Sequence, residues 1–293
     1  MRSYKYRLYP NKAQERIFLS TLETCRRLYN NALAERWYAW KDERRCITYR
    51  EQQDALPGNK DEYQQQVHSQ VLQDVLRRLR KAFDAFFRRV RNGETPGYPR
   101  FKGKGRYDSL TYPQSGFSLS EDERHITLSK IGPVRIKLHR PLEGRVKTCT
   151  VKRDVNQWYV VFSCEVESSA RPHNGPAVGV DVGLEKFATL SDGTVIENPR
   201  FLRESEQKIK KRQRRVSRRK KGSNRRKKAK KELGKAHRKV RNQRTDFAHK
   251  LSSQLADDHS TITFEKLNIL LNRHLSHRLS SFIFSDIGAV SSS

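Results

Sequence analysis

The stretch Ala177-Val178-Gly179-Val180-Asp181-Val182-Gly183 decides how the second half of this 293-residue chain folds. Valines at every other position, among small residues, make a short strand of the buried type that ends on an acid. Residues 187–190, an Asp192-Gly193 turn and residues 194–196 then read as a hairpin with two-residue turn chemistry. Far downstream Thr261-Ile262-Thr263-Phe264 reads as another strand, and it too runs into an acid, Glu265.

An acid at the end of a buried strand, followed by glycine and a hairpin, matches the opening of a ribonuclease-H-like fold, where that Asp projects onto a bound divalent cation. A later parallel strand would bring Glu265 beside Asp181. Two-metal phosphodiester hydrolysis needs several hard oxygen ligands around cations about 3.5–4 Å apart. Each acid also has a plain reading: Asp181 as a turn residue beside glycine, and Glu265 as a surface acid balancing Lys266.

Between the two acids lies the most basic part of the chain. Residues 203–250 hold 23 Lys or Arg against 4 Asp or Glu. The run Arg218-Arg219-Lys220-Lys221-Gly222-Ser223 splits the segment into two helical halves, and Leu233, Ala236, Val240, Phe247 and Leu251 give the second half a thin apolar face. Arg225, Arg226, Arg238, Lys239 and Arg244 extend the charge. A solvated helix pair and a phosphate-binding surface both fit; phosphate contacts give affinity and salt dependence without reading sequence. His237 and His249 read as helix-face residues, since no Cys or carboxylate stands at metal spacing from either.

Upstream, Tyr4, Tyr6 and Leu8 alternate with Lys5 and Arg7 as a strand does, Pro10 breaks the run, and Asn11 is placed to cap a helix. Phe18, Leu22, Cys25, Tyr29 and Ala32 then mark one helical face that runs to about Trp40. After a loop at Leu56-Pro57-Gly58-Asn59, a second helix carries Leu72, Val75, Leu79, Ala82, Phe86 and Val90 on one side and arginines on the others. Residues 126–128, 134–138, 146–153 and 158–166 alternate as strands of an antiparallel region, which ends near residues 168–172. Ahead of it, Gly97-Tyr98-Pro99-Arg100-Phe101-Lys102 is aromatic, basic and turn-forming at once. Either it is a turn packed on the β region, or Tyr98, Arg100, Phe101 and Lys102 stack bases and hold phosphates.

Composition narrows the function. Lys plus Arg number 62 against 32 Asp plus Glu, for a net charge of +30, and hydrophobic residues reach only 34%. That excess attracts polyanions, nucleic acid before anionic membrane. Aromatics at 9% leave enough to build a core. No apolar run approaches a membrane span, and the first residues lack the apolar stretch of a signal peptide. Cys25, Cys46, Cys149 and Cys164 stand far apart with no CxxC pair, so they are expected to be reduced core residues and zinc is not expected. The working class is a cytoplasmic nucleic-acid-binding protein.

Taken in order, several motifs resemble one family. They are Tyr-Arg-Leu-Tyr-Pro-Asn (6–11), Gly-Tyr-Pro-Arg-Phe-Lys (97–102), Gly-Val-Asp-Val-Gly (179–183), Ser-Arg-Arg-Lys-Lys-Gly-Ser (217–223), Lys-Val-Arg-Asn-Gln-Arg-Thr-Asp-Phe-Ala-His-Lys-Leu (239–251) and Phe-Glu-Lys-Leu (264–267). From about residue 4 to residue 288 the chain is similar to the OrfB/TnpB proteins of insertion sequences, relatives of the type V CRISPR effectors. The resemblance implies an α+β multidomain protein. A wedge-type antiparallel β-barrel (1–10 and 95–170) would carry a helical recognition insertion (11–94). An incomplete RuvC-like, ribonuclease-H-like α/β domain (175–290) would follow, with a basic helical insertion at 203–260.

The resemblance also implies a guide RNA from the transposon end and double-stranded target DNA read by base pairing. Asp181 and Glu265 fall on the family's first two catalytic, Mg-binding carboxylates. The family pattern continues past Ser285-Asp286-Ile287-Gly288 into a four-cysteine zinc ribbon and a third catalytic Asp. Here the sequence reads Ala289-Val290-Ser291-Ser292-Ser293, and Asp286 matches a non-catalytic position. The expectation is therefore a C-terminally truncated guided binder whose Mg binding is weak or absent and whose nuclease activity is lost. The alternatives are an active or residual Mg-dependent endonuclease, or a basic transposase fragment without discrete function.

Overall fold

The computed structural model describes residues 1–167, 175–183 and 185–264. The chain divides into two compact units, Met1–Ser168 and Ser169–Ser293.

The first unit opens with β1 (Arg2–Tyr9), whose alternation buries Tyr4, Tyr6 and Leu8. Helix α1 (Lys12–Glu43) follows at once. Asn11 starts it with a capping box: its side chain accepts from the Gln14 backbone, while the Gln14 side chain accepts from the Asn11 backbone. Such a cap contributes about 1 kcal/mol. The predicted apolar face is buried, and the helix runs three residues past Trp40. Two short helices follow, α2 (Tyr49–Ala55) and α3 (Glu62–Gln65), then α4 (Ser69–Arg91). On α4 the buried stripe is Val71, Leu72, Val75, Leu76, Leu79 and Phe83. The expected stripe departs from this in the last two turns, where Val90 is exposed.

Six further strands complete a seven-stranded antiparallel sheet: β2 (Ser109–Tyr112), β3 (Phe117–Leu119), β4 (His125–Leu128), β5 (Gly132–Lys137), β6 (Arg145–Asp154) and β7 (Gln157–Glu165). The order is β2-β6-β7-β1-β5-β4-β3, which seats β1 in the middle between β7 and β5. Its inward residues meet those of β7 in register, Tyr4 with Phe162, Tyr6 with Val160 and Leu8 with Trp158.

The sheet is forced to curl. Its outermost strands, β2 and β3, are consecutive in sequence, and Tyr112 and Phe117 are joined by four residues. Those five steps span at most about 18 Å, whereas seven flat strands at about 4.8 Å spacing would hold the edges about 29 Å apart. The Tyr112 hydroxyl accordingly donates to the Ser129 carbonyl at 3.1 Å, just beyond β4. Helix α1 packs on this curled sheet through Phe18, whose ring stacks on Trp158 at 4.7 Å.

The second unit is built on a four-stranded sheet ordered β10-β9-β8-β11, from β8 (Ala177–Val182), β9 (Lys186–Leu190), β10 (Val195–Glu197) and β11 (Thr261–Phe264). The first three are antiparallel neighbours, while β11 pairs with β8 in parallel. A parallel partner requires a crossover, and α5 (Phe201–Ser217) and α6 (Asn224–Asp258) lie within it. Val178, Val180, Ala188, Leu190 and Leu255 form the core, and Phe247 of α6 meets Phe187 edge-on at 5.0 Å.

Two details differ from the sequence reading. The hairpin closes between Leu190 and Thr194 over three residues, with Gly193 at φ +87 and the Asp192 carboxylate accepting from the Thr194 backbone. A three-residue loop needs its left-handed glycine at that last position. Second, only three of the four cysteines are core residues; Cys46 is exposed. Among the described residues, no helix is long and apolar enough to cross a membrane.

Candidate nucleic-acid interface and carboxylate strand

In the first unit, the 97–102 segment is pinned to helix α1 and not to the sheet. The Lys102 backbone N–H donates to Asn30 Oδ1 at 2.8 Å, and Asn30 Nδ2 and Arg26 Nη1 both donate to the Lys102 carbonyl at 3.0 Å. Lys102 Nζ sits 5.3 Å over the Tyr29 ring. Tyr98 leans edge-on against Phe83 and Phe86 of α4, each at 5.5 Å. Burial pushes the Tyr98 phenol up, partly opposed by the nearby Arg36 charge. The anchoring leaves Arg100 and Phe101 in solvent, with Phe101 58% exposed. A turn held at its base and offering an arginine and a bare ring serves both readings left open above: it is structured, and its tip is presented.

The basic segment of the second unit is a helical hairpin. Arg218 is the C-cap of α5 and Ser223 the N-cap of α6, its hydroxyl accepting from the Arg226 backbone. Arg212 Nη1 donates to the Glu232 carbonyl at 3.2 Å, so α5 folds back along α6, over buried Val216, Ala229 and Val240. At 35 residues, α6 is about 52 Å long. Arg218, Lys220, Lys221, Arg225 and Lys239 are exposed, while Arg219, Arg238 and Arg244 are half-buried. Arg226 is committed internally, since its guanidinium donates to the Arg219 carbonyl at 2.9 Å and closes the turn. The tip therefore groups Arg218, Lys220 and Lys221 in the loop with Arg225 at the head of α6.

Asp181 is exposed on β8, one residue before the strand ends at Val182. Strand alternation turns Val178 and Val180 into the core and sets Gly179 and Asp181 on the other face. Asp181 lies opposite Thr189 of β9. On the other side of β8, β11 pairs Thr261 with Ala177, Ile262 with Val178, Thr263 with Gly179 and Phe264 with Val180. Glu265, the second predicted acid, lies outside the described residues, as does Asp286. Among the described residues there is no group of three or more His, Cys, Asp and Glu side chains fit to hold a metal.

A curled antiparallel sheet with a helical insertion, followed by a smaller mixed sheet interrupted by basic helices, defines a Cas12f-like mixed α/β fold. A cryo-EM structure of a Cas12f1–sgRNA–target DNA complex superposes with a TM-score of 0.51 at 13% identity, over 97% of this chain and 69% of that one. A family model described as “Probable transposase” matches residues 161–273, and one described as “Helix-turn-helix domain” matches residues 1–45. In this structure residues 1–45 fold as a strand and one unbroken helix, without two helices about a turn.

A Streptomyces pristinaespiralis protein named “Putative RNA-guided DNA endonuclease” is 35% identical over 298 residues, covering 98% of this chain and 72% of that protein. InsQ of Escherichia coli K12, with the same description, is 32% identical over 274 residues, covering 92% and 67%. The chain belongs to the OrfB/TnpB family, which is related to the type V effectors.

Proposed function

We propose that this chain is an RNA-guided DNA-binding protein of the TnpB type, with Asp181 and Glu265 as the first two carboxylates of a RuvC-like cation site. One observation carries the second part. The parallel pairing of β8 and β11 reaches Phe264 opposite Val180, and Asp181 and Glu265 are the next residues of the two strands. Continued by one step in that register, the pairing would set both carboxylates on one face. The guided part is supported by the named function of the relatives and by the RNA and DNA in the Cas12f1 complex.

The residues suit a hard cation. Asp181 is an exposed carboxylate on the sheet face opposite the apolar core, and hard oxygen donors are what Mg²⁺ takes. When bound, such a cation supplies Lewis-acid stabilisation to a phosphate under attack. The chain's own part is to hold two oxygens on rigid neighbouring strands, while the α5–α6 hairpin takes backbone phosphates. With two acids in hand, a polypeptide of residues 1–293 alone is expected to hold the cation loosely and to bind DNA far better than it cuts.

The test is to purify residues 1–293 with co-expressed RNA, wash at high salt and sequence what remains. One discrete, structured RNA with a variable end is expected; heterogeneous RNA released in proportion to salt would overturn the guided reading. With that RNA and target DNA, Mn²⁺ binding that weakens on Asp181→Asn supports the carboxylate assignment. Unchanged Mn²⁺ affinity would remove it.

A further inference from the structure

The first unit contains a cavity of 780 Å³ between the second half of α1, the segment leading into α2, the middle of α4 and Tyr98. Its walls are rings and guanidinium groups: Trp40, Tyr49, Phe86 and Tyr98 with Arg36 and Arg80 are among them. The volume lies within the range of small-molecule sites. Several rings remain open to solvent, Trp40 at 51% and Tyr98 at 42%.

Charge and hydrogen bonding narrow the occupant. Three arginines at the cavity are balanced by acids: Arg45 by Glu51 at 2.9 Å, Arg80 by Asp84 at 3.7 Å and Arg50 by Asp54 at 3.9 Å. Arg36 is different. Its Nε donates to Gln52 Oε1 at 2.8 Å and its guanidinium lies 5.0 Å over the Phe83 ring, but its buried Nη2 has no hydrogen-bond partner. Unlike the other three, Arg36 makes no ion pair among the described residues, so the cavity keeps one cation for a ligand to answer. A purely apolar guest would leave it unmet, and an acidic peptide would leave the rings unused. A planar, acceptor-bearing ring joined to a phosphate satisfies both.

We infer that this Arg36–aromatic cavity receives one unpaired nucleotide, its base lodged among Trp40, Phe86 and Tyr98 beside the Arg36 guanidinium. The inference rests on the nucleic-acid reading above. Base–ring contact of this type tolerates any base and adds affinity that salt does not remove.

The cavity carries its own reporter. Cys46 lines it and is exposed, whereas Cys25, Cys149 and Cys164 are buried. Alkylation of Cys46 by iodoacetamide is measured on the full 293-residue chain with a uridine RNA octamer, a thymidine DNA octamer, an abasic octamer and a DNA duplex. The expected result is about a tenfold slowing with a base-bearing single strand and little with the abasic octamer or duplex. Which octamer protects more identifies the strand that supplies the nucleotide. Arg36→Gln, and separately Phe86→Leu, should lose this protection.

Equal protection by the abasic octamer would overturn the inference, because charge alone would then cover the thiol. Protection that rises with protein concentration and no oligonucleotide would also overturn it, in favour of a second copy of the chain. Binding in the gel shift without protection of Cys46 sinks the pocket alone. No binding in the gel shift sinks the broader nucleic-acid reading.

Discussion

Asn30 and Lys102 hold each other: the Lys102 backbone N–H donates to the Asn30 side chain at 2.8 Å, and that side chain donates back to the Lys102 carbonyl at 3.0 Å. A side-chain amide thus takes the place of a neighbouring strand for one residue of an otherwise unpaired segment. Asn30→Ala removes both bonds and leaves the backbone groups of Lys102 partly unsatisfied. The expected cost is about 1–3 kcal/mol, and trypsin should cut after Arg100 and Lys102 faster than in the parent. Unchanged cleavage would mean that Arg26 and the Tyr98 packing suffice.

The Phe18–Trp158 stack is one tie between α1 and the curled sheet. Both side chains are buried, so Phe18→Ala opens a cavity between them and should destabilise the first unit by about 3–5 kcal/mol. Urea unfolding followed by tryptophan fluorescence reads this. Phe18→Leu, which fills most of the space, should recover much of the stability.

His68 gives the first unit a pH dependence of known sign. Burial, then the charges of Lys130 and Lys60, lower its pKa from the ordinary 6.5. Its ring lies 5.6 Å from that of Tyr112, and its buried Nδ1 has no hydrogen-bond partner. The folded state therefore prefers the neutral ring, and the unfolded chain takes up a proton first. Stability attributable to His68 is fully present above pH about 6.5 and falls as the pH drops below it. The urea midpoint should decline between pH 7.5 and 5.5, and His68→Gln should flatten that decline.

The tip of the α5–α6 hairpin should act as a cluster of phosphate-binding cations. Replacing Arg218, Lys220, Lys221 and Arg225 together with Ala should weaken binding uniformly across sequences. The slope of log affinity against log salt should fall by up to about 0.7–0.9 for each phosphate that is no longer neutralised. Arg226→Ala should instead lower the thermal stability of the second unit, because its guanidinium closes the turn at the Arg219 carbonyl. Equal salt slopes for the parent and the fourfold variant would exclude the tip from the interface.

Periodicity revealed what repeats and missed what is brief. Tyr4, Tyr6 and Leu8 declared β1 by alternation, and Phe18 to Ala32 declared α1, because each pattern extends over enough residues to exclude the other period. Strand β2, four residues long, depends on a distant partner, Ser109 lying opposite Lys152 of β6, while β3, three residues long, pairs with the neighbouring β4. Helix α2 left a readable mark, the Thr48–Glu51 capping box, just ahead of the loop at residues 56–59. The strand that carries Asp181 was legible from its valines, whereas the cavity was not. Arg36, Cys46, Phe86 and Tyr98 come together from four separate stretches, and no local pattern announces that convergence.

The central seat of β1 sets a timetable for synthesis. Strand β1 leaves the ribosome long before either neighbour exists, since Tyr9 waits for Arg135 and Arg2 waits for Cys164. At about 5–20 residues per second that interval lasts roughly 8–30 s. Until β5 arrives, Tyr4, Tyr6 and Leu8 form a lone strand with both edges bare, and one edge stays bare until β7 follows, ready to pair with whatever is near. The nascent protein is thus vulnerable at β1, and a holding chaperone would do most good before β7 emerges.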